Sequence, residues 1–285
     1  MKILIQFIKN IYISLFPEQY KKKSFRNLDL LTWENIYNQN LENELLLLKY
    51  LVKQDDVFLD VGSNIGQYIF MATKVLQGKN IYAFEPNPVL YKRLKKIFNQ
   101  VNVVDIAFSD TNSSATFKIP SSNEIEYFAR GTLNINFKED NETKSQLINV
   151  KSQKMDTFCE EKKIKKINLI KIDVEGHELN AINGALTTIK THSPILIIEI
   201  EQRHHQQNIK EIINYIKAMG YACFYFDINK KIIEELTDIF SVESMQKKEN
   251  HAINKQYINN FIFIPLSSNP TQKVQDINQK IQTGA

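Results

Sequence analysis

The stretch DDVFLDVGSNIGQYIFMATKVL, residues 55–76, decides how the rest of the chain is read. Val57, Phe58, Leu59 and Val61 form a short apolar run, Gly62 and Gly66 punctuate it, and Ile65, Ile69, Ala72, Val75 and Leu76 then recur at helical spacing. A buried strand, a glycine turn and a helix follow from that pattern, which is the opening unit of a nucleotide-binding α/β sheet. A glycine just after a parallel strand lets the backbone turn sharply and lets a ligand approach where a Cβ would collide. The helix behind it offers free N–H groups and the positive end of its dipole. Asp60 closes the strand, and Glu85 closes the next apolar run, IYAFE; in dinucleotide folds an acid at about that separation binds ribose hydroxyls. The Gly62 to Gly66 spacing alone fits an ordinary strand-to-helix turn equally well. The two acids at strand ends favour a ligand site.

Outward from this unit the alternation continues. Residues 80–84 read as a second strand; Pro86 and Pro88 stop it and start a helix carrying Leu90, Leu94 and Phe98. Residues 102–106 read as a third strand. The second informative block is INLIKIDVEGHELNAINGALTTIKTHSPILIIEIE, residues 167–201. In it a strand ends on Asp173 and Glu175, Gly176 turns into a helix, and residues 195–198 form another buried strand ending on Glu199. A helix at 209–219 and strands at 221–226 and 260–265 complete the pattern. We expect an α/β fold with a Rossmann-like, doubly wound, mostly parallel seven-stranded sheet over residues 55–266, its ligands at the carboxyl ends of the strands. Residues 1–54 read as an α-helical preface. Residues 111–150 break the rhythm and read as a loop or hairpin insertion of the kind that forms lids. Residues 267–285 read as a polar, mobile tail.

Composition narrows the class. The 285 residues carry 36 Lys and Arg against 32 Asp and Glu, a formal charge of +4, with 43% hydrophobic content. Those values are ordinary for a soluble globular chain and point to neither disorder, a membrane protein nor a nucleic-acid partner. Cys159 and Cys223 stand far apart without CxxC pairing, which excludes a disulfide scaffold or a cysteine metal site. The first residues, MKILIQFIKNIYISLF, are too short to span a bilayer and lack a cleavage site. Ile3, Leu4, Phe7, Ile8, Ile11 and Leu15 instead make an amphipathic stripe. It is expected to pack on the main domain, with peripheral membrane contact as the alternative. The expected location is the cytoplasm, free or on the cytoplasmic face of a membrane; the sequence leaves the oligomeric state open.

Taken together, LDVGSNIGQY, YAFEPNP, AFSD, KIDVEGHEL with NGAL, PILIIEIE and FIFIP resemble, in order and over about residues 55–265, a class I S-adenosylmethionine-dependent methyltransferase of the FkbM type. A dehydrogenase is disfavoured because Asn64 stands where GxGxxG needs its middle glycine, so a pyrophosphate could not approach the helix as closely. S-adenosylmethionine carries no phosphate. The resemblance implies that Asp60, Gly62, Asn64 and Gly66 line the methionine moiety, that Glu85 accepts both ribose hydroxyls, and that Ser109 and Asp110 border the adenine. It implies that Asp173, Glu175 and His177 face the methyl group and the acceptor.

Methyl transfer to an alcohol needs the acceptor oxygen aligned with the methyl and relieved of a proton. His177 is the candidate base because imidazole titrates near neutrality, with Asp173 its competitor. His204 and His205 read as an exposed loop pair. Asp173 and Glu199, closing neighbouring strands, offer hard oxygen ligands that suit Mg²⁺, as in some catechol-type methyltransferases; no metal is required by the reading. The resemblance implies an acceptor hydroxyl on a sugar, glycolipid, polysaccharide or related natural product. Tyr127, Phe128 and Phe137 could stack on a sugar ring, and Arg130 could hold an acidic one. A nicotinamide-dependent oxidoreductase, or a catalytically silent scaffold of the same fold, is the alternative.

Overall fold

The structure is a computed structural model that describes residues 11–36, 41–122, 125–126, 130–247 and 257–284. Of the expected N-terminal stripe, Ile3, Leu4, Phe7 and Ile8 lie outside the described residues, as do Tyr127 and Phe128. The stripe's two described members, Ile11 and Leu15, are exposed and do not pack on the domain, whereas Ile13, which is not part of it, is buried. The preface begins with α1 (Pro17–Ser24). No continuous helix covers the described part of 32–53. Leu45, Leu46, Leu47 and Leu48 are all buried, so the segment has no polar face to give a helix a wet side, and it coils instead as a 3-10 turn and a single α turn.

The main sheet contains β1 (Phe58–Val61), β2 (Ile81–Phe84), β3 (Asn102–Val104), β8 (Leu169–Ile172), β9 (Ile195–Glu199), β10 (Tyr221–Asp227), β11 (Ile232–Glu235) and β12 (Asn260–Pro265). A second sheet contains β4 (Ile106–Phe108), β5 (Ser113–Ser122), β6 (Ile125–Glu126) and β7 (Lys144–Gln153). The main sheet has the order β11-β10-β12-β9-β8-β1-β2-β3. β1, β2, β3, β8 and β9 are parallel, and β12 runs antiparallel to both β9 and β10. The doubly wound, mostly parallel sheet is therefore present, but with eight strands rather than seven. The added strand, β11, pairs antiparallel with β10 through a tight turn in which Lys231 takes φ +55°. Its two isoleucines sit between lysines and glutamates, too short an apolar run to announce a strand.

Helices cover both faces. α2 (Gln67–Ala72), α3 (Pro88–Ile97) and the preface pack one side, with Phe25 stacked on Phe70 at 4.8 Å. α4 (Met155–Glu161), α5 (Glu178–Asn183), α6 (Leu186–His192) and α7 (Ile209–Ala218) enclose the other core, around Leu59, Val61, Ile170, Ile172 and Phe261. Both cysteines are buried and free.

Two expectations change. The third strand, read as 102–106, ends at Val104, and Ile106–Phe108 crosses into the second sheet, where β4 pairs parallel with β7. The insertion is ordered: β5 and β7 form a long hairpin whose register sets Phe117 opposite Ile148, and it hangs beside the carboxyl ends of β1 and β8. The tail is not loose polar chain. Pro270–Thr283 is helix α8, and Val274, Ile277 and Ile281, spaced three and four apart, bury one stripe against the main core. In a segment so rich in Gln, Asn and Lys, three apolar residues are a faint periodicity.

Candidate active site

β1 lies between β2 and β8, with the chain running outward on both sides, so the crevice at its carboxyl end is the topological switch point of the sheet. Val61 delivers the chain into Gly62 (φ +82°), whose N–H, like that of Ser63, donates to Phe84 O at 3.0 Å. A Cβ at Gly62 would stand 1.8 Å from the Asp173 carbonyl oxygen, so the glycine is what lets the two strand ends close together. Asn64 also takes a left-handed φ, +50°, and its N–H donates to Glu85 Oε2 at 2.7 Å while Asn87 N–H donates to Oε1 at 2.8 Å. Glu85 is buried, and that burial pushes its carboxyl up to about 8 against the pull of the two N–H donors. Asp60, 1% exposed, is likewise pushed up to about 7 by burial, offset in part by Lys171, and its Oδ2 has no hydrogen-bond partner.

Asp173, Glu175 and His177 come from the turn after β8. Burial opposes ionisation of Asp173, but Lys171, donating to Oδ2 at 2.8 Å, and a hydrogen bond from Glu199 outweigh it and hold the carboxyl below its ordinary value. Burial and the Asp173 charge push Glu199 well above the carboxylate range, so Glu199 keeps the shared proton. Glu175 sits at φ +53° and is raised well above its usual range by burial and by Asp173, against the attraction of Arg203. His177 caps α5; burial lowers its pKa, so the imidazole is neutral at physiological pH. Val61, Gly62, Asn64, Phe84, Glu85, Ile106–Phe108, Phe117, Gly131, Leu133, Asp173, Glu175 and His177 line one cleft enclosing about 540 Å³ of space, part of it open to solvent.

Every expected residue except Asp60, Gly66, Ser109, Asp110 and Glu199 therefore reaches that cleft. Asp60 pairs with Lys171 in the sheet, and Gly66 packs against Leu94 and Phe98. Ser109 and Asp110 bond to His177 and Asn180 rather than standing open toward a ligand. Ligating atoms of Asp173, Glu175 and Glu199 lie within 4.8 Å of one another, as do those of Glu139, Glu175 and His204.

Several contributors were not foreseen. Lys171, 2% exposed, sits on β8 directly beside Asp60 on β1, and its Nζ also approaches Glu42 Oε2 at 3.7 Å and the Tyr68 ring at 4.5 Å. Thr132, from the insertion, donates to Glu175 O at 2.7 Å and so ties the insertion to the turn after β8. His204 is buried, not an exposed loop residue: its Nε2 lies 3.2 Å from Glu175 Oε2 and Phe137 meets its ring edge-on at 4.7 Å. Burial and the neighbouring Arg203 push it down to about 3. Arg130 and Arg203 both engage Glu139, so Arg130 already has an acidic partner of its own chain. The lone signal for His204 was its place just beyond PILIIEIE.

This sheet order, with the reversed β12, and a cleft built on a glycine turn and a buried acid just after the next strand, define a class I S-adenosylmethionine-dependent methyltransferase. Residues 60–223 match the Methyltransferase FkbM domain, and the chain belongs to that family. It is 26% identical over 209 residues to the hexuronic acid methyltransferase AglP of Haloferax volcanii, covering 72% of this chain and 78% of that one. It is 25% identical over 160 residues to the 2-O-methyltransferase NoeI of Sinorhizobium fredii, covering 50% and 63% respectively. Among solved structures, an FkbM methyltransferase from Methylobacillus flagellatus aligns with TM-score 0.45 at 14% identity over 74% of this chain and 44% of that one. The plantazolicin methyltransferase BpumL, solved with S-adenosylhomocysteine, aligns with TM-score 0.40 at 12% identity over 89% and 93%. Among the described residues no helix is long and apolar enough to cross a membrane.

Proposed function

We propose that the enzyme methylates a hydroxyl of a sugar or sugar-bearing molecule, with His177 as the base that relieves the acceptor of its proton. The observation that carries this reading is that His177, Asp173 and Glu175 share one cleft with Gly62, Asn64 and Glu85. A proton acceptor and a cofactor cradle thus open on the same space.

The residues present fit S-adenosylmethionine. Glu85 already accepts one N–H on each oxygen and keeps a lone pair on each for a ribose hydroxyl. Asp60 Oδ2, buried without a hydrogen-bond partner, lies off the cleft lining beside Lys171, so Gly62, Asn64 and Glu85 are the residues that would cradle the cofactor. The apolar stretch formed by Phe84, Ile106, Ala107 and Phe108 suits an adenine ring, and with Ser109 engaged by His177 and Asp110 by Ser109 and Asn180 it is the better adenine border. When bound, the cofactor supplies an electrophilic methyl on a sulfonium. The protein then has to orient a hydroxyl toward it, exclude water and take one proton. A neutral imidazole does the last by accepting from the reacting O–H; Asp173, held ionised by Lys171, orients the acceptor by accepting from a neighbouring hydroxyl of the sugar. Lys171 and the proton shared with Glu199 neutralise the carboxylates from within, so no step is routed through a divalent ion.

The names of the two relatives, one acting on a hexuronic acid and one a 2-O-methyltransferase, support a sugar acceptor. The test is transfer of labelled methyl from S-adenosylmethionine to a panel of free and lipid-linked glycans. His177→Gln is expected to lower kcat by about 10²–10⁴-fold, the usual worth of a positioned base, with cofactor affinity unchanged. Full activity of that variant would overturn the assignment of the base.

A further inference from the structure

His177 is held by a chain of polar groups from two separate segments. His177 Nε2 lies 2.9 Å from Ser109 Oγ, Ser109 Oγ lies 3.1 Å from Asp110 Oδ1, and Asn180 Nδ2 donates to Asp110 Oδ2 at 3.1 Å. Ser109 is 6% exposed, so water has little access to the middle of the chain. Its backbone is fixed from both sides: its N–H donates to Gln153 O at 3.1 Å, and Gly184, at the end of α5, leaves room for the Ser109 carbonyl where a Cβ would stand at 2.0 Å. The helix that His177 caps is thereby pressed onto the serine that His177 meets.

The direction of this chain follows from proton counting. An ionised carboxylate can only accept, and a hydroxyl has one proton to give. Asp110 accepts the hydrogen bond of the Ser109 O–H, and Ser109 Oγ then faces His177 with lone pairs alone. Nε2 has to be the donor, which leaves the lone pair of the neutral imidazole on Nδ1. We propose that Ser109 and Asp110 are positioning residues that fix His177 as its Nε2–H tautomer, making Nδ1 the atom that takes the acceptor's proton. This rests on the reading of His177 as the base.

In that step the acceptor O–H bond breaks as an N–H bond forms at Nδ1. The freed electron pair makes the O–CH₃ bond, the pair of the broken S–CH₃ bond stays on sulfur, and the proton afterwards leaves His177 for solvent. The imidazolium that forms is met by Asp110 through Ser109 and by the adjacent Glu178, whose charges favour it, whereas burial opposes it. Glu178 is itself engaged by His205 at 3.1 Å, so Asp110 is the carboxylate that answers the new charge through a continuous path.

The tautomer is directly observable. The chain has five histidines, and long-range ¹⁵N–¹H correlation on the ¹⁵N-histidine-labelled protein, with His177→Gln assigning the resonance, is expected to show a pyrrole-like Nε2 and a pyridine-like Nδ1. In Asp110→Asn, Asn180 donates to the remaining carbonyl oxygen, the new NH₂ turns to Ser109, and the chain reverses. The expected results are an Nδ1–H tautomer and a kcat loss of about 10²-fold or more with KM for the cofactor unchanged. Ser109→Ala is expected to lose about tenfold in kcat and to flatten the acid limb of the pH–rate profile, and Ser109→Thr to restore both. A wild-type His177 protonated on Nδ1, or an Asp110→Asn enzyme that keeps the Nε2–H tautomer, overturns the inference. An undiminished rate in His177→Gln instead removes the base assignment on which it rests.

Discussion

Replacing Lys171 with Met tests how the carboxylates under the cleft are kept together. The lysine is 2% exposed, donates to Asp173 at 2.8 Å, approaches Glu42 at 3.7 Å and is held charged, its pKa raised by Asp173 and Glu42 against burial. Met matches the stem in volume, so the loss is one of charge rather than packing. Removing one partner of a buried pair leaves the other charge uncompensated and costs about 3–5 kcal/mol. At about 2–4 °C per kcal/mol for a chain of this size, Tm falls by roughly 10 °C. The sign of its pH dependence also follows. Asp173, whose pKa the lysine holds down, contributes stability above its unfolded value that is lost as pH falls through the folded one. Without Lys171 that contribution disappears, and the deficit relative to wild type is expected to be greatest near neutral pH and to shrink in mild acid, where the orphaned carboxylates protonate. Thermal melts at both pH values, with Lys171→Met/Asp173→Asn recovering most of the loss, provide the measurement. A variant melting within about 2 °C of wild type at neutral pH, or a deficit that widens on acidification, refutes the reasoning.

Gly62→Ala forces a Cβ to within 1.8 Å of Asp173 O at a φ of +82°; β1 and β8 must part at their ends, and S-adenosylhomocysteine affinity, measured by calorimetry, is expected to fall by at least tenfold. Glu85 and Asp60 have pKa values raised to about 8 and about 7, so the stability they lend the cofactor-free fold is full below their unfolded values and is lost progressively between those values and the raised ones. The cofactor-free Tm is therefore expected to drop across this window, and Glu85→Gln to flatten the part due to Glu85. Ribose hydroxyls favour the ionised Glu85 as acceptor, so cofactor binding near pH 7 releases protons; calorimetry in buffers of different ionisation enthalpy reads this, and zero release goes against it. Because Lys171 already supplies the cation that Asp173 needs, EDTA is expected to leave the transfer rate unchanged; restoration of a lost rate by Mg²⁺ would show the carboxylates to be ligands.

The parts of this enzyme legible in the sequence are those with a local signature. LDVGSNIG and IYAFE state strand, turn and acid within a few residues, because a glycine with positive φ and an acid at a strand end are local requirements. The strand–helix alternation and the mostly parallel sheet were legible for the same reason, the central strands being continuous buried runs. What could not be read depends on contacts between distant segments. α8 is held by three apolar residues against the main core and by Asn278 bonded to Ile233, 45 positions away, and the ordering of the insertion rests on pairing between two ten-residue strands that are polar at one end.

The site shows the same division at finer scale. KIDVEGHEL announces its acids and histidine, yet it also holds the buried charge of Lys171, which reads as an ordinary strand lysine until Asp60, Asp173 and Glu42 are placed around it. Ser109 and Asp110 are the converse: their place beyond a strand marked them for the ligand, but the one-residue step from β3 into β4 carries them across to the helix of Asn180. A lone Gly184, with an ordinary φ, permits that crossing, because only the close approach of the Ser109 carbonyl demands a glycine there. The two charged arrangements that set the protonation of this cleft, one around Asp173 and one around His177, are therefore each completed by a residue whose role appears only when the chain is folded.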